Sequence, residues 1–438
     1  MVSASEGSSM TLTRRRLLTG AAALGTTALG ASACSSPATA NPGRLTLWYT
    51  YNGLSEHVLK EAGKRFAADR FVTSQVSGDL TQRLLAALAG RAYLPDITMI
   101  GDNISRYFAD SDRFVDLNRL GARKLADRYL PWKWQAGASP DGFQLGFPID
   151  VGPAALYYRH DIFEGAGFPS EPDDVAAAVP TWEKYFAFGE RLRKKLPGRY
   201  LITDTKTVFT YSMAQEPKKY FDPHNHYLDD QSHVRLAWDR SVEAFHRRLT
   251  AGYAGSQSVN GQSVDRHAAW NTGRELSLVN ASWITGEIKQ SAPRTAGKWR
   301  VCAPPGGPGN QGGSFLAITS ACPHPEAAFE IVSWLQDPAN QTWDYLDIGL
   351  FPSSPAAFTD KRLTAPDPFF GGQSTVEVFA SIAKRVRYAY FSPWDITISD
   401  TYTDELTNVE LGGKDPERAW HDARTRIERL LRRQGVLS

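Results

Sequence analysis

Cysteine and catalytic signatures are scarce in this sequence. Its 438 residues include three cysteines, which is too few to support a structural zinc site. The zinc-protease motif H-E-x-x-H, the nucleophile elbow G-x-S-x-G and the P-loop are missing, and the string G-x-G-x-x-G occurs only as GPGNQG (307–312), which leads into a strand-like run rather than a helix and so is not a dinucleotide fingerprint. We therefore expect no cofactor, no bound metal and none of the enzyme classes that these motifs mark.

Two kinds of site can still exist without those motifs. The segment DPHNHYLDDQSH brings His224, His226 and His233 close to several aspartates, but a solvated polar loop is a better interpretation of it than a metal site. A glycosidase needs only two carboxylates on either side of a glycosidic bond. A secreted glycosidase or another sugar-processing enzyme therefore stays open as an alternative function.

Neither sign of charge dominates the chain. Lys and Arg number 49 and Asp and Glu number 47, with no basic block, which argues against nucleic acid as a partner. Aromatic residues are frequent by contrast, with 12 Trp, 17 Tyr and 21 Phe. Some of them must fill the core, and others are available as flat surfaces for a ligand.

The apolar run near the N-terminus is too short to span a bilayer stably. It follows three arginines at 14–16 and ends in small residues before Cys34, so residues 1–33 are predicted to be an export signal of the twin-arginine type. Residues 31–33 resemble the lipobox of bacterial lipoproteins, in which the cysteine that follows is lipidated. The Ser/Pro/Ala-rich stretch 34–43 is then predicted to be a tether to the outer face of the cytoplasmic membrane. The alternative is a soluble exported protein in which Cys34 is incidental.

The other two cysteines have two interpretations. Export places Cys302 and Cys322 in an oxidising compartment, where thiols commonly form disulfides. A disulfide requires the two Cα atoms to lie close together, which sequence does not reveal. A bridge between them and two buried free thiols are both open.

The order of elements predicts an α/β fold. Strand-like RLTLWYTY (44–51) leads to a helix from Ser55, a second strand near 71–77, another helical stripe and the buried strand DITMIG. Strands that alternate with helices are typical of a parallel sheet. The chain is too long for one ordinary core, and the extended segment 147–159, broken at Gly152-Pro153, is a candidate hinge between two domains.

Polar residues follow the predicted strands where ligands bind in open α/β sheets, outside the carboxyl ends of the strands. These residues are Tyr51, Asn52, Asp79, Asp102, Asn103 and Asp150, and Trp283 ends a later strand. Amide and carboxylate groups pair with hydroxyls, and aromatic rings cover the C–H faces of a sugar. Acids outnumber bases at these positions, so the pattern favours a neutral sugar over a phosphate or an organic acid.

Several longer segments carry a resemblance to a known family. They are LTLWYTYNG, LLAALAGRAYLPDITMIGDN, GFPIDVGPAALYYRHDIFEGAGFP, TWEKYF, NASWITGEI, GGSFLAI, FEIVSWLQDPANQ, GLFPSSP and YFSPWD. Together they resemble the substrate-binding lipoproteins of bacterial ABC importers for carbohydrates, extracellular solute-binding protein family 1, especially those of actinobacteria.

The resemblance implies the periplasmic-binding-protein type II fold, with two α/β lobes joined by hinge strands around a ligand cleft. Lobe 1 would comprise 42–150 with 316–350, and lobe 2 would comprise 151–315 with 351–438. It also implies a monomeric, non-catalytic receptor that captures a mono- or oligosaccharide and delivers it to the permease subunits of an ABC transporter. A further alternative keeps this fold but replaces the sugar with a glycerophosphodiester or a peptide.

The resemblance also assigns ligand-binding roles to individual residues. Trp283 and Trp394 match cleft aromatics, Asp102 and Asn103 match a polar contact after the third strand, and Asp150 matches a hinge position. The remaining candidates are Tyr51, Asn52, Asp79, Gly313, Phe351 and Tyr390. Structural roles compete with these assignments, since Asp102 can cap a helix, Asp150 can fasten the hinge and Trp283 can fill a core.

Overall fold

The computed structural model describes residues 43–67, 70–90, 93–252, 258–259 and 262–437. The predicted export signal, Cys34 and the predicted tether up to residue 42 lie outside the described residues. No helix within these ranges is long and apolar enough to cross a membrane.

The elements of the first half of the chain alternate between strands and helices. In chain order they are β1 (Leu45–Tyr49), α1 (Glu56–Arg65), β2 (Phe71–Gln75), α2 (Leu80–Gly90), β3 (Ile97–Ile100), 3₁₀ helices at Ile104–Arg113, Leu117–Leu120 and Ala122–Arg128, α3 (Pro131–Ala136), β4 (Phe147–Pro148), β5 (Asp150–Val151), β6 (Ala154–Arg159), α4 (His160–Gly165), α5 (Pro172–Ala178), α6 (Trp182–Lys195) and α7 (Thr205–Gln215).

Helices predominate in the second half. The elements there are α8 (Ser232–His246), β7 (Ser258–Val259), β8 (Gln262–Ser263), α9 (Val264–Thr272), β9 (Ser277–Ala281), α10 (Ile284–Ser291), β10 (Trp299–Cys302), β11 (Phe315–Ile318), α11 (Pro325–Leu335), α12 (Pro338–Ile348), β12 (Phe351–Pro352), α13 (Thr375–Ala383), α14 (Asp395–Gly412) and α15 (Pro416–Arg433), with short 3₁₀ helices at Pro293–Thr295, Pro355–Thr359 and Pro368–Phe370.

The first sheet contains five strands in the order β2-β1-β3-β11-β4. β1 lies parallel to β2 and to β3, which confirms the predicted parallel start of the chain. Ser55 caps α1 by accepting a hydrogen bond from the Val58 backbone N–H, and α1 buries Val58 and Ala62. β11 returns from far along the chain and lies antiparallel between β3 and β4.

The second sheet has the order β10-β6-β9 and is antiparallel throughout. Successive side chains of a strand point to opposite faces. Tyr157 accordingly packs into one apolar core with Trp299, while Leu156 and Tyr158 pack into another with Phe186. Both tyrosines are buried because apolar clusters cover both faces of this sheet.

A two-stranded ribbon links the two sheets. β5 and β12 pair antiparallel, and β5 lies between β4 of the first sheet and β6 of the second. Buried side chains fasten the ribbon: Gln341 Nε2 donates to Ser353 Oγ at 2.9 Å, and Ser353 Oγ donates to the Ile149 carbonyl at 3.0 Å. The predicted two-lobe α/β fold is confirmed, while the exact lobe boundaries stay a prediction.

Helices α7, α8, α14 and α15 form a further core beside the second sheet. Trp238, Tyr402 and Trp420 pack at its centre with ring centroids 5.1 to 6.2 Å apart. Asp415 caps α15 by accepting from the Arg418 backbone N–H, and Pro416 occupies the first turn, where a proline is well tolerated. This helical layer carries the residues that face the first sheet.

Cys302 and Cys322 are both free and buried, so the disulfide alternative is wrong for this structure. Cys302 ends β10 and packs in the second-sheet core with Leu156 and Tyr158. Cys322 belongs to the first-sheet core with Leu316 and Ile318. The two thiols cannot pair because they are packed into different cores.

Candidate ligand-binding cleft

A cleft of about 430 Å³ separates the first sheet from the helical layer. Its first-sheet wall consists of the loop after β3, α3 and the start of β11, and its opposite wall consists of α7, α14 and residues 386–391. The loop 310–313 closes one side. The charged lining residues are Asp102, Lys133, Lys206, Lys219, Arg387, Asp395 and Asp400, and the large apolar or aromatic ones are Trp132, Met213, Tyr220, Phe315, Val386, Tyr388, Phe391 and Ile396.

Two predicted residues, Asp102 and Asn103, lie in the loop after β3, opposite the segment before α14. With Phe391 and Asp395 they line a second, small cavity of about 20 Å³. Asp102 is reached by solvent, yet the surrounding walls exclude most water, and this desolvation raises the pKa of its carboxyl. Asn103 Oδ1 is buried and has no hydrogen-bond partner within the described ranges. The loop after β3 therefore presents oxygen acceptors to the cleft and to the small cavity beside it.

Lys133 is a buried lysine in the floor of the cleft. It belongs to α3, and its Nζ lies 3.5 Å from the centroid of the Phe315 ring. Burial lowers the pKa of Lys133 to about 7, against the attraction of Asp150 and Asp102. An ammonium at this depth is costly unless acceptors surround it.

A second lysine–carboxylate pair lies on the opposite wall. Lys219 Nζ donates to the Met213 carbonyl, and Asp395 accepts from Ser392 Oγ. Burial raises the pKa of Asp395 to about 7 and lowers that of Lys219 to about 8, and their mutual attraction opposes both shifts. Asp395 Oδ2 is buried and lacks a hydrogen-bond partner in the described part of the chain. It is therefore an unpaired hydrogen-bond acceptor at the cleft wall.

Gly313, a predicted residue, lines the cleft and has the left-handed φ of +101°. Trp283 lies beside the same loop: a Cβ built on Gly312 would be 3.8 Å from its indole Nε1. Trp283 caps α10 rather than ending β9, and 39% of its surface is exposed. The structure thus brings Trp283 to the rim of the cleft without placing it in the lining.

Asp150 lies beneath the cleft. It is buried, and its Oδ1 accepts from the Ser314 backbone N–H at 2.7 Å. Desolvation raises the pKa of this carboxyl, and Lys133 opposes the rise. Asp150 therefore ties β5 to the loop that carries Gly313, in keeping with the hinge-fastening alternative.

Three predicted residues lie on the first-sheet side, outside the cleft lining. Tyr51 is 77% exposed, and Asn52 adopts a left-handed φ of 54° in the turn after β1. Asp79 accepts from the Gln82 backbone N–H at 3.2 Å and so caps α2. Their roles as ligand contacts remain predictions.

Three predicted aromatic residues pack into cores in this conformation. Phe351 is fully buried among Phe358 and Phe379. Tyr390 is buried and donates to Asn225 Oδ1 at 2.7 Å. Trp394 caps α14 and packs partly against the helical core. A packing role explains the positions of all three, and Phe391, next to Tyr390, is the aromatic residue of this segment that reaches the cleft.

The sequence offered little sign of the charged residues that line the cleft. Lys133 lies in a six-residue helix, too short to show a helical period, and Lys219 lies in an irregular segment. Lys206 and Asp400 follow the pattern of solvated helix residues. The one available signal was the YFSPWD segment, which contains Phe391 and Asp395.

Sequence comparison places the chain among bacterial transport proteins. The family described as bacterial extracellular solute-binding protein matches residues 58–342. A lactose-binding protein of Rhizobium radiobacter is 26% identical over 365 residues, which span 77% of this chain and 81% of that protein.

Solved structures share the fold along nearly the whole chain. A crystal structure of an extracellular solute-binding protein family 1 member has a TM-score of 0.81 and 27% identity, and covers 89% of this chain and 99% of its own. The galacto-N-biose-/lacto-N-biose I-binding protein of an ABC transporter from Bifidobacterium longum, in complex with lacto-N-biose, has a TM-score of 0.72 and 17% identity over 91% of this chain and 99% of its own. The ABC transporter associated binding protein of B. animalis subsp. lactis Bl-04, in complex with beta-1,6-galactobiose, has a TM-score of 0.69 and 21% identity over 90% of this chain and 99% of its own. This chain belongs to the bacterial extracellular solute-binding protein family.

Proposed function

We propose that this protein is the substrate-binding component of an ABC importer for a carbohydrate. It binds a mono- or oligosaccharide in the cleft and delivers it unchanged to membrane permease subunits. It is exported, is anchored to the outer face of the cytoplasmic membrane through Cys34, and acts as a monomer without catalysing a reaction.

The lining of the cleft is the observation that carries this proposal. Its volume of about 430 Å³ is in the range of small-ligand sites. The same cleft is lined by acceptors at Asp102 and Asp395 and by the donor Lys133, and Phe391 and Tyr388 offer flat surfaces. A molecule with many hydroxyl groups and apolar C–H faces satisfies such a mixture.

The relatives guide the choice of sugar. One is named for lactose, and two structures with this fold hold lacto-N-biose and beta-1,6-galactobiose. We therefore place galactose-containing disaccharides first among the candidate ligands.

A thermal-shift screen followed by calorimetry tests the proposal. The panel contains lactose, lacto-N-biose, beta-1,6-galactobiose, maltose and acarbose, with sorbitol as a control polyol. At 100 times its dissociation constant, a ligand stabilises the native state by about 2.7 kcal/mol, so a cognate sugar should raise the melting temperature by several degrees. The absence of a shift with every sugar would contradict the proposal. Release of shorter sugars from labelled oligosaccharides would favour the glycosidase alternative.

One observation supports a second candidate ligand. The acids expected at the strand ends are accompanied in the cleft by Lys133, Lys206, Lys219 and Arg387, which come from helices and loops. These cations suit an anionic group, as in a glycerophosphodiester. Glycerophosphocholine therefore joins the panel, and salt-sensitive binding of it with no response to the sugars would favour this candidate.

A further inference from the structure

Lys133 has an unusual position for a lysine. It is 2% exposed, yet it lines the cleft. Within the described residues, its Nζ has no hydrogen-bond acceptor and no carboxylate oxygen within 4.0 Å, and its close neighbour is the face of Phe315. Lys219, which is equally buried, donates to a carbonyl oxygen instead.

Gly313 makes room for this ammonium. A Cβ at Gly313 would lie 3.0 Å from Lys133 Nζ and 2.7 Å from the Asp150 carbonyl oxygen, and its φ of +101° also favours glycine. The absence of a side chain at Gly313 therefore lets the ammonium and the Asp150 carbonyl oxygen pack closely against this backbone. Gly313 and Lys133 both line the cleft, so the ammonium borders the region open to a ligand.

Charged groups face Lys133 from two sides. Asp150 on β5 attracts it from beneath, but Asp150 Oδ1 is occupied by the Ser314 N–H. Asp102 attracts it from the cleft side. The other charged groups lining the cleft are Lys206, Lys219, Arg387, Asp395 and Asp400. An ammonium with unused donors thus stands near a carboxylate that can accept, and both border the same cavity.

We propose that Lys133 determines ligand specificity by donating hydrogen bonds to an oxygen of the bound sugar, whose adjacent hydroxyl donates to Asp102. This inference rests on the proposed function. A donor and an acceptor side by side match two neighbouring hydroxyls of a pyranose ring. The face of Phe315 is covered by the ammonium, so Phe315 supports Lys133 and is not a stacking surface for the sugar.

Calorimetry with lactose tests the inference on the full exported chain, comparing wild type, K133M and K361M. Methionine keeps much of the shape of the lysine stem without its charge, and Lys361 is an exposed lysine outside the cleft. Hydrogen bonds to charged groups are strong, so K133M should weaken lactose binding by about 100-fold. K361M should bind as wild type does. K133M should melt close to wild type, because the gain from removing a buried charge is opposed by the loss of its attraction to Asp150.

Deoxy sugars and pH separate recognition from packing. The monodeoxy lactose that lacks the oxygen contacted by Lys133 should bind wild type about as weakly as lactose binds K133M. The affinity of this sugar for K133M should be little lower than its affinity for wild type. The difference in lactose affinity between wild type and K133M should shrink as the pH rises from 6 to 9, because Lys133, with a pKa of about 7, loses its charge. Lactose affinity within twofold of wild type in K133M would overturn this inference alone. If wild type binds no sugar of the panel, the proposed function and this inference fall together.

Discussion

Asp344 shows how a single buried carboxylate can shape stability. It lies on α12 and accepts from the Ser55 backbone N–H at 2.7 Å through Oδ1, so it helps to hold the start of α1. Oδ2 is buried and has no partner among the residues that the structure describes. Burial raises the pKa of Asp344 to about 8, and the nearby charges of Asp150 and Asp347 add to the rise.

The raised pKa predicts a pH-dependent stability with a definite sign. Between pH 4 and 8 the folded protein holds a proton on Asp344 that the unfolded chain has released. The free energy of unfolding therefore falls as the pH rises through this range. D344N removes the titration and keeps an oxygen for Ser55. It should raise the free energy of unfolding at pH 8.5 by more than ~1 kcal/mol relative to wild type, with a smaller gain at pH 5.

Urea denaturation at both pH values measures this effect, with D127N as the control because Asp127 is exposed. Equal effects of D344N at pH 5 and pH 8.5 would show that Asp344 is ionised in the folded protein and that the predicted sign is wrong.

At the scale of elements, β5 and the loop before β11 are held together by backbone contacts. The Gly152 N–H donates to Asn310 Oδ1 at 2.8 Å, and the Gln311 N–H donates to the Gly152 carbonyl at 2.9 Å. A Cβ on Gly152 would lie 2.0 Å from the Gln311 carbonyl oxygen. The glycine therefore allows the hinge strand to approach the loop that closes one side of the cleft.

G152A should consequently destabilise the protein and disturb the cleft together. Overpacking of this kind costs about 1 to 3 kcal/mol, and the displaced loop carries Gly312 and Gly313, which line the cleft. G165A is the matched control, since Gly165 lies in α4 and a Cβ there meets nothing within 4 Å. G165A should be neutral or stabilise by up to about 1 kcal/mol. Urea unfolding and lactose calorimetry measure the two effects, and wild-type behaviour of G152A in both would refute this account of the hinge.

Local patterns predicted the elements well where periodicity is strong. The strand–helix alternation of residues 44–100 predicted a parallel sheet, which the structure confirms, and the apolar residues Trp420 and Ile427 recur at helical spacing in α15 and are buried. The antiparallel placement of β11 depends on contacts more than 200 residues apart along the chain, which no local pattern encodes. The lining of the cleft could not be predicted for the same reason, because Lys133 and Phe315 come into contact only through the pairing of β11 with the first sheet.

Aromatic residues illustrate the limit for the site in another way. Phe351 and Tyr390 have the same residue types as genuine sugar platforms, yet each is buried in a core. Phe391 is 42% exposed and reaches the cleft, although it is adjacent to Tyr390 in sequence. Which of two neighbours faces a ligand depends on how the segment before α14 packs, and that is decided by the helical core.

At the scale of the whole molecule, the fold and the N-terminal sequence lead to the same picture of an exported receptor. The two free thiols are buried, and burial raises the pKa of Cys322 to about 12 and that of Cys302 even further, which disfavours the reactive thiolate. An oxidising environment therefore does not require them to pair. Cys34 lies outside the described residues, and its lipidation is part of the proposed function.

C34A tests the attachment of the protein to the membrane. If Cys34 carries the lipid, wild type should sediment with the membrane fraction of the producing bacterium and C34A should appear in the soluble exported fraction, because the apolar run before it is too short to remain as a membrane span. C302A is the control, since its thiol is buried and should not affect location. Lactose affinity should be the same in all three proteins, which separates anchoring from binding. Retention of C34A in the membrane fraction at the wild-type level would show that another feature of the chain attaches it, and the lipoprotein part of the proposed function would then be wrong.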